Sequence, residues 1–235
     1  MPKNNSNDAP RVLLWDIDGT LIRTNRPNSS SPHVNVFHSL GFEAKNLHSD
    51  LSGLTDYEVL VEIANETKRE FDVRLLERAF HDLDIESRKL DVDSVFNLCP
   101  GVTQILDSLT TAGWSHGILT GNTKSRMIGK LKSGGIASFF PEDLLFYCEY
   151  GNSRRDITRR AKWVLTERQY SKIFILGDTP KDISAAYASD IPVVSIATGK
   201  FSVAELSKHK PGLLLRDLSV DAEILFNYLQ GSALV

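Results

Sequence analysis

The spacing of apolar residues changes character along the chain, and each change marks an element. Arg11–Trp15 (RVLLW) is a short apolar run that stops at Asp16-Ile17-Asp18-Gly19. Such a run predicts a buried strand that delivers its end to a loop. The polar stretch Asn25–Pro32 (NRPNSSSP) reads as a hinge or linker. From His33 to about Asp91 the period becomes helical. Thr55-Asp-Tyr-Glu58 forms a capping box, followed by a stripe of Val59, Leu60, Ile63 and Ala64; a second stripe holds Leu75, Leu76, Ala79, Phe80 and Leu83. No strand pattern interrupts this region. Beyond Pro100-Gly101, strands and helices alternate. The expected strands are Ser115–Thr120, Leu144–Cys148, Lys172–Gly177, Pro192–Ile196 and Leu213–Leu215. Between them lie a stripe of Val102, Ile105, Leu106 and Leu109, helices over Thr123–Lys132 and Asp156–Glu167, a capping box at Ser202–Glu205, and a last helix over Asp221–Leu229 that Gly231 ends.

Strands alternating with helices imply parallel βαβ units, hence an α/β, Rossmann-like doubly wound parallel sheet with an inserted α-helical domain. The boundaries expected are a disordered tail over 1–10, a core from 11–23 and 96–235, and the helical insertion over 24–95. An insertion directly after the first strand sits over the carboxyl ends of the strands, where open α/β sheets bind ligands.

Composition narrows the function classes. A net charge of −3 gives no electrostatic reason to expect nucleic acid or a membrane surface as partner. No apolar run has the length of a membrane span, and the start MPKNNSNDAP has no signal-peptide core. Cys99 and Cys148 are the only cysteines and are widely separated, so a disulfide framework is not expected and a reducing cytoplasm is. The pattern carries no mark of oligomeric state.

Three strand ends carry unusual residues. Asp16 and Asp18, two residues apart, suit a hard cation or a division between nucleophile and acid/base, although a plain Asp-Gly turn explains the same residues. Thr120-Gly121-Asn122 combines a hydroxyl with backbone amides at a helix start, which suits a phosphate oxygen and equally an ordinary helix cap. Asp178-Thr179-Pro180-Lys181-Asp182 again places carboxylates after a buried strand, where a helix N-terminus would also place them. Their convergence on one sheet edge favours the functional reading.

The set DIDGTL, LTGN and GDTPKD, in this order, resembles motifs I, II and IV of the haloacid dehalogenase-like superfamily. The resemblance spans Val12 to about Leu215, with the helical region where that family carries a cap. It implies that Asp16 is the nucleophile of an aspartyl-phosphate mechanism and that Asp18 is the general acid/base. It implies Mg²⁺ held by Asp16, the main-chain carbonyl of Asp18, and Asp178, with Asp182 supporting or joining the shell. Thr120, with Gly121 and Asn122, matches the motif that grips the phosphoryl group. Motif III departs from the commoner pattern: Ser153-Arg154-Arg155-Asp156-Ile157 holds no lysine. Arg154 is the best register, Arg155 the next, and a solvated basic face with Arg159, Arg160 and Lys162 the remaining reading. Ser52-Gly53-Leu54-Thr55-Asp56 is similar to a Gly-x-Thr-Asp segment of phosphoglycolate-phosphatase-like relatives, and also reads as a helix-capping turn.

What the resemblance implies is a Mg²⁺-dependent phosphatase acting on a small phosphorylated metabolite. Its rivals are a phosphomutase of the same fold, a dehalogenase, and a catalytically silent regulatory protein. The histidines (33, 38, 48, 81, 116 and 209) lack metal-ligand spacing and read as structural or surface residues. Trp15 alternates away from Asp16 and is expected in the core.

Overall fold

The structure, a computed structural model, describes residues 9–24, 32–41, 51–66, 72–91 and 96–231. The expected tail, apart from its last two residues, and all of the Asn25–Pro32 linker except Pro32 lie outside them.

Six parallel strands form the main sheet: β1 (Arg11–Trp15), β4 (Ser115–Leu119), β5 (Leu145–Phe146), β6 (Lys172–Gly177), β7 (Val193–Ile196) and β8 (Leu213–Leu215). Their order is β5-β4-β1-β6-β7-β8. The chain therefore builds outward from β1 on one side, then crosses to β6 on the other. That reversal opens a crevice at the carboxyl end of β1, the place where such sheets bind ligands.

Strand alternation explains the two cores. Leu13 and Trp15 face one side with Ile118, Leu176 and Val194, covered by α4 (Val102–Thr111), α5 (Lys124–Ser133) and α9 (Ala222–Gln230). Val12 and Leu14 face the other with Ile173 and Ile175, under α6 (Arg154–Glu167), α7 (Pro180–Tyr187) and α8 (Val203–Ser207). Trp15 is fully buried, and its indole N–H donates to His116 Nδ1 at 3.0 Å. Burial pushes the His116 imidazole down to about 4, so it remains the neutral acceptor that Trp15 requires.

The helical insertion comprises α1 (Pro32–Ser39), α2 (Asp56–Glu66) and α3 (Val73–Asp91). Val36 and Phe37, Val59, Leu60 and Ile63, and Ala79 and Leu83 pack into a third core of its own. Two short antiparallel strands, β2 (Ile22–Thr24) and β3 (Phe96–Leu98), pair where the chain leaves and re-enters the sheet domain. The sequence pattern did not predict this ribbon, because three residues are too short to show a period. Several boundaries shift by a residue, and two shift more: the expected 144–148 strand is only Leu145–Phe146, and α6 begins at Arg154 rather than Asp156, capped by Ser153 accepting from the Asp156 amide. No helix among the described residues is long and apolar enough to cross a membrane.

Candidate active site

Adjacent strands β4, β1 and β6 end side by side, and each contributes acidic or polar residues to the crevice. Asp16 follows β1, and its amide donates to Leu176 O at 2.9 Å, which fixes it beside the end of β6. The next residues turn sharply. Gly19 has φ +88°, and a Cβ there would lie 2.3 Å from Asp178 Oδ2, so glycine satisfies both the backbone angle and the close approach. Thr198 Oγ1 donates to Gly19 O at 2.6 Å, and Thr20 Oγ1 donates to Asp178 Oδ1 at 3.0 Å. The turn is thus tied to the strand ends around it.

Asp16, Asp178 and Asp182 meet in one buried group, with one carboxylate oxygen of each within 4.8 Å of the others. Asp182 divides its two oxygens. Its Oδ2 accepts from the Thr179 amide (3.0 Å) and hydroxyl (2.8 Å), completing the capping box of α7. Its Oδ1 is left for the crevice and has no hydrogen-bond partner there, only the ion pair with Arg154 Nη2 at 2.5 Å. Arg154 Nη2 also donates to Asp16 Oδ1 at 2.6 Å, while its buried Nε has no hydrogen-bond partner among the described residues. Arg155, the alternative register, is exposed.

The electrostatics follow from crowding. Burial, opposed by Arg154 and reinforced by Asp182 and Asp18, pushes the Asp16 carboxyl up to about 7. Burial and the neighbouring Asp16 and Asp182 likewise raise the Asp178 carboxyl well above the usual range. Three carboxylates face one guanidinium, an excess of negative charge that a small divalent cation would neutralise. The donors are all hard oxygens, and the space is tight: a Cβ on Gly199 would come within 1.7 Å of Asp178 Oδ2. Donor set, excess charge and an Asp182 Oδ1 that takes no hydrogen bond among the described residues all fit Mg²⁺.

Asp18 lies apart from this group. Its carboxylate is held by Lys130 Nζ at 2.6 Å to both oxygens and by Asn122 Nδ2 at 2.7 Å. Its setting in the crevice disfavours the charged form, but Lys130 and Asn122 outweigh this and hold the carboxyl below its usual range. The side chain remains 50% exposed, so it is reachable from the mouth of the crevice. Thr120 is buried, and its Oγ1 accepts from the Asn122 amide and side chain at 3.3 and 2.7 Å. Lys130 was not among the residues singled out from the sequence. A signal was present: it lies in the stripe of Met127 and Leu131, at an apolar position of α5.

The Ser52–Asp56 segment forms the expected helix-capping turn. Thr55 and Glu58 form the capping box (Thr55 N to Glu58 Oε2, 2.8 Å; Glu58 N to Thr55 Oγ1, 3.1 Å). The same loop lies on the crevice: the Asp56 amide donates to Gly121 O at 2.8 Å, and Thr55 Oγ1 donates to Asn152 O at 2.8 Å. A Cβ on Gly121 would lie 2.7 Å from Leu54 O, so this close approach requires glycine.

Similar architectures occur among solved structures. A predicted phosphoglycolate phosphatase from Haemophilus somnus 129pt superposes with a TM-score of 0.71 at 16% identity, covering 94% of this chain and 100% of that one. A candidate β-phosphoglucomutase from Bacteroides vulgatus gives 0.69 at 15% identity, with coverage of 95% and 90%. CbbY from Rhodobacter sphaeroides, in complex with phosphate, gives 0.65 at 15% identity, with coverage of 90% and 96%. No curated protein sequence matches the chain. Residues 13–196 match the family described as haloacid dehalogenase-like hydrolase, a span that runs from β1 through the helical insertion to the end of β7, and the chain belongs to that family.

Proposed function

We propose that this protein is a Mg²⁺-dependent phosphatase that hydrolyses a small phosphomonoester through an aspartyl-phosphate on Asp16. The observation that carries the reading is the buried group of Asp16, Asp178 and Asp182 around Arg154, with the acid pair partner Asp18 held separately at the mouth. Mg²⁺ held by Asp16, Asp178 and the Asp18 carbonyl, with Asp182 beside it, would offset the repulsion between an anionic nucleophile and an anionic phosphate.

The chain's own groups divide the remaining work. Asp16 Oδ attacks phosphorus, and the leaving oxygen takes its proton from Asp18, which must first take up a proton as substrate binds, against the pull of Lys130. The Asp18 carboxylate then draws a proton from water, which attacks the aspartyl-phosphate and releases phosphate with Asp16 restored. Arg154 holds phosphoryl oxygens, its unpartnered Nε offering a further donor, and Thr120, Gly121 and Asn122 hold the opposite side. The cap loop at Leu54–Asp56 packs against Gly121, which places the insertion beside the proposed phosphoryl site. Structural neighbours include a protein with phosphate bound and the same protein with xylulose-(1,5)bisphosphate, in keeping with a phosphorylated metabolite.

The decisive experiment is a screen of purified protein against phosphoglycolate, sugar phosphates, nucleotides and pyrophosphate, with Mg²⁺ and with EDTA. Metal-dependent release of inorganic phosphate is expected. Phosphate returned to a sugar, with a bisphosphate required, would make it a mutase. Halide released from a 2-haloacid included beside these, unaffected by chelation, would make it a dehalogenase, and no turnover on any of them would favour a regulatory role.

A further inference from the structure

The phosphatase chemistry uses Asp16, Asp18, Asp178, Asp182, Arg154 and Thr120, and leaves a second buried charged cluster unexplained. Asp56 begins α2 in the insertion, and its side chain is buried against the core. Its Oδ2 accepts from the Thr123 amide at 2.7 Å. Thr123 is the N-cap residue of α5 and makes no side-chain cap of its own, so the insertion covers this helix start from outside. Asp56 Oδ1 pairs with Arg126 Nη1 and lies 2.9 Å from His33 Nε2 on α1. Arg126 and His33 side chains are only 10% and 9% exposed.

Arg126 and Lys130 are four residues apart, one above the other on α5. Arg126 meets the insertion through Asp56; Lys130 meets the core through Asp18 and Asn122 Oδ1, the latter at 2.8 Å. One helix face therefore joins the cap loop to the carboxylate that the proposed chemistry uses as acid and base. Buried ions are costly unless their partners are in place. If the loop lifts, Arg126 and the Thr123 amide lose Asp56 together and are left to water, so the cluster is satisfied in one docked position.

We infer that Asp56 and Arg126 form a latch between the helical insertion and the core, and that closing it sets, through α5, the position in which Lys130 holds Asp18. Asp56 and Arg126 are positioning residues. The coupling to Asp18 rests on the phosphatase reading, whereas the latch does not.

Amide hydrogen exchange of the full chain, without substrate, separates the two. In Asp56→Ala, exchange should quicken about tenfold or more in segments 52–58 and 120–130, since at least one charge-assisted hydrogen bond is lost. Strands β1 and β6 should keep their rates. Arg126→Met should reproduce the pattern should Asp56→Ala fold poorly, Arg126→Lys should recover part of it, and the double variant should be no worse than either single one. Unchanged exchange, uniform acceleration through the chain, or a strictly additive double variant would each overturn the latch. With a substrate found, kcat per folded molecule should fall along with a rise in KM, and a change in KM alone would remove the link to Asp18. Local acceleration in a protein that hydrolyses no phosphomonoester would uphold the latch and refute the phosphatase reading.

Discussion

Replacing Arg154 tests the site where its electrostatics are most concentrated. Its Nη2 lies 2.6 Å from Asp16 Oδ1 and 2.5 Å from Asp182 Oδ1, with the side chain only 6% exposed. At an effective dielectric of about 20, each contact corresponds to an attraction of about 6 kcal/mol. Desolvation of all three groups offsets much of this, and breaking a buried pair costs about 3–5 kcal/mol net. Arg154→Ala should lose stability of that order in metal-free protein at pH 8, and less near pH 6. The difference arises because the Asp16 carboxyl, already pushed up to about 7, can take a proton once its countercharge has gone. Turnover should fall about 10²–10³-fold per folded molecule, the loss expected for one preorganised donor to a developing phosphoryl charge. Arg154→Lys should regain part of this, since charge remains without the fork. Arg155→Ala, at an exposed position, should change activity less than about twofold. Thermal melts at the two pH values and steady-state assays on the same samples provide the comparison. A damaging Arg155→Ala beside a near-neutral Arg154→Ala would refute the assignment, and two neutral variants would reduce the basic run to a solvated face.

Other expectations follow from the same geometry. Asp16→Asn should abolish turnover and leave the melting temperature within a few degrees, because an amide cannot attack phosphorus; covalent phosphate trapped on any other residue would contradict this. Asp178→Asn should raise the Mg²⁺ concentration for half-maximal activity by about tenfold or more, through loss of a charged ligand, and full wild-type activity after exhaustive chelation would count against the metal. The raised Asp16 carboxyl keeps a proton in the folded state that the unfolded chain releases near pH 4. Its contribution to stability is therefore complete below that pH and lost as pH rises through about 7. Metal-free protein should accordingly melt lower at pH 8 than at pH 6.5 by the Asp16 contribution. His116 and His33, held neutral by burial but about half protonated at about pH 6.5 once unfolded, act in the opposite direction. The slope is therefore read as the difference from Asp16→Asn, and Mg²⁺ should raise the melting temperature more at pH 8. A flat profile, indifferent to Mg²⁺, would argue against the carboxylate group as a cation site.

The sheet and its site were legible because their signals are local. RVLLW reads as a buried strand from five consecutive residues, and Asp16 and Asp18 follow it directly. The same holds for Lys172–Gly177 before Asp178, and the helices α2, α6, α7 and α8 start at caps that lie within a few residues of one another. The choice of Arg154 over Arg155 was harder, since the chemistry is identical and only the phase of α6 decides it. That phase is set by Ser153, whose hydroxyl caps the helix and turns residue 154, with Ile157, Thr158 and Ala161, to the buried face.

What stayed hidden are charges whose partners lie far along the chain. Asp18 and Lys130, or Asp56 and Arg126, are separated by 112 and 70 residues, and no period connects them. Yet each cation leaves a trace. Lys130 falls in the apolar stripe of α5 between Met127 and Leu131, where an ammonium cannot be buried without an anion. The stripe thus implies that a carboxylate approaches α5. Asp18 is nearest in kind, exposed on a loop leaving β1, the strand beside β4, whose C-terminal loop starts α5. A charged residue at an apolar phase of a helix that starts beside the candidate site is, on this reasoning, evidence about the acid it faces. The pairing at Asp18 is then a consequence of the same burial rule that identified the strands.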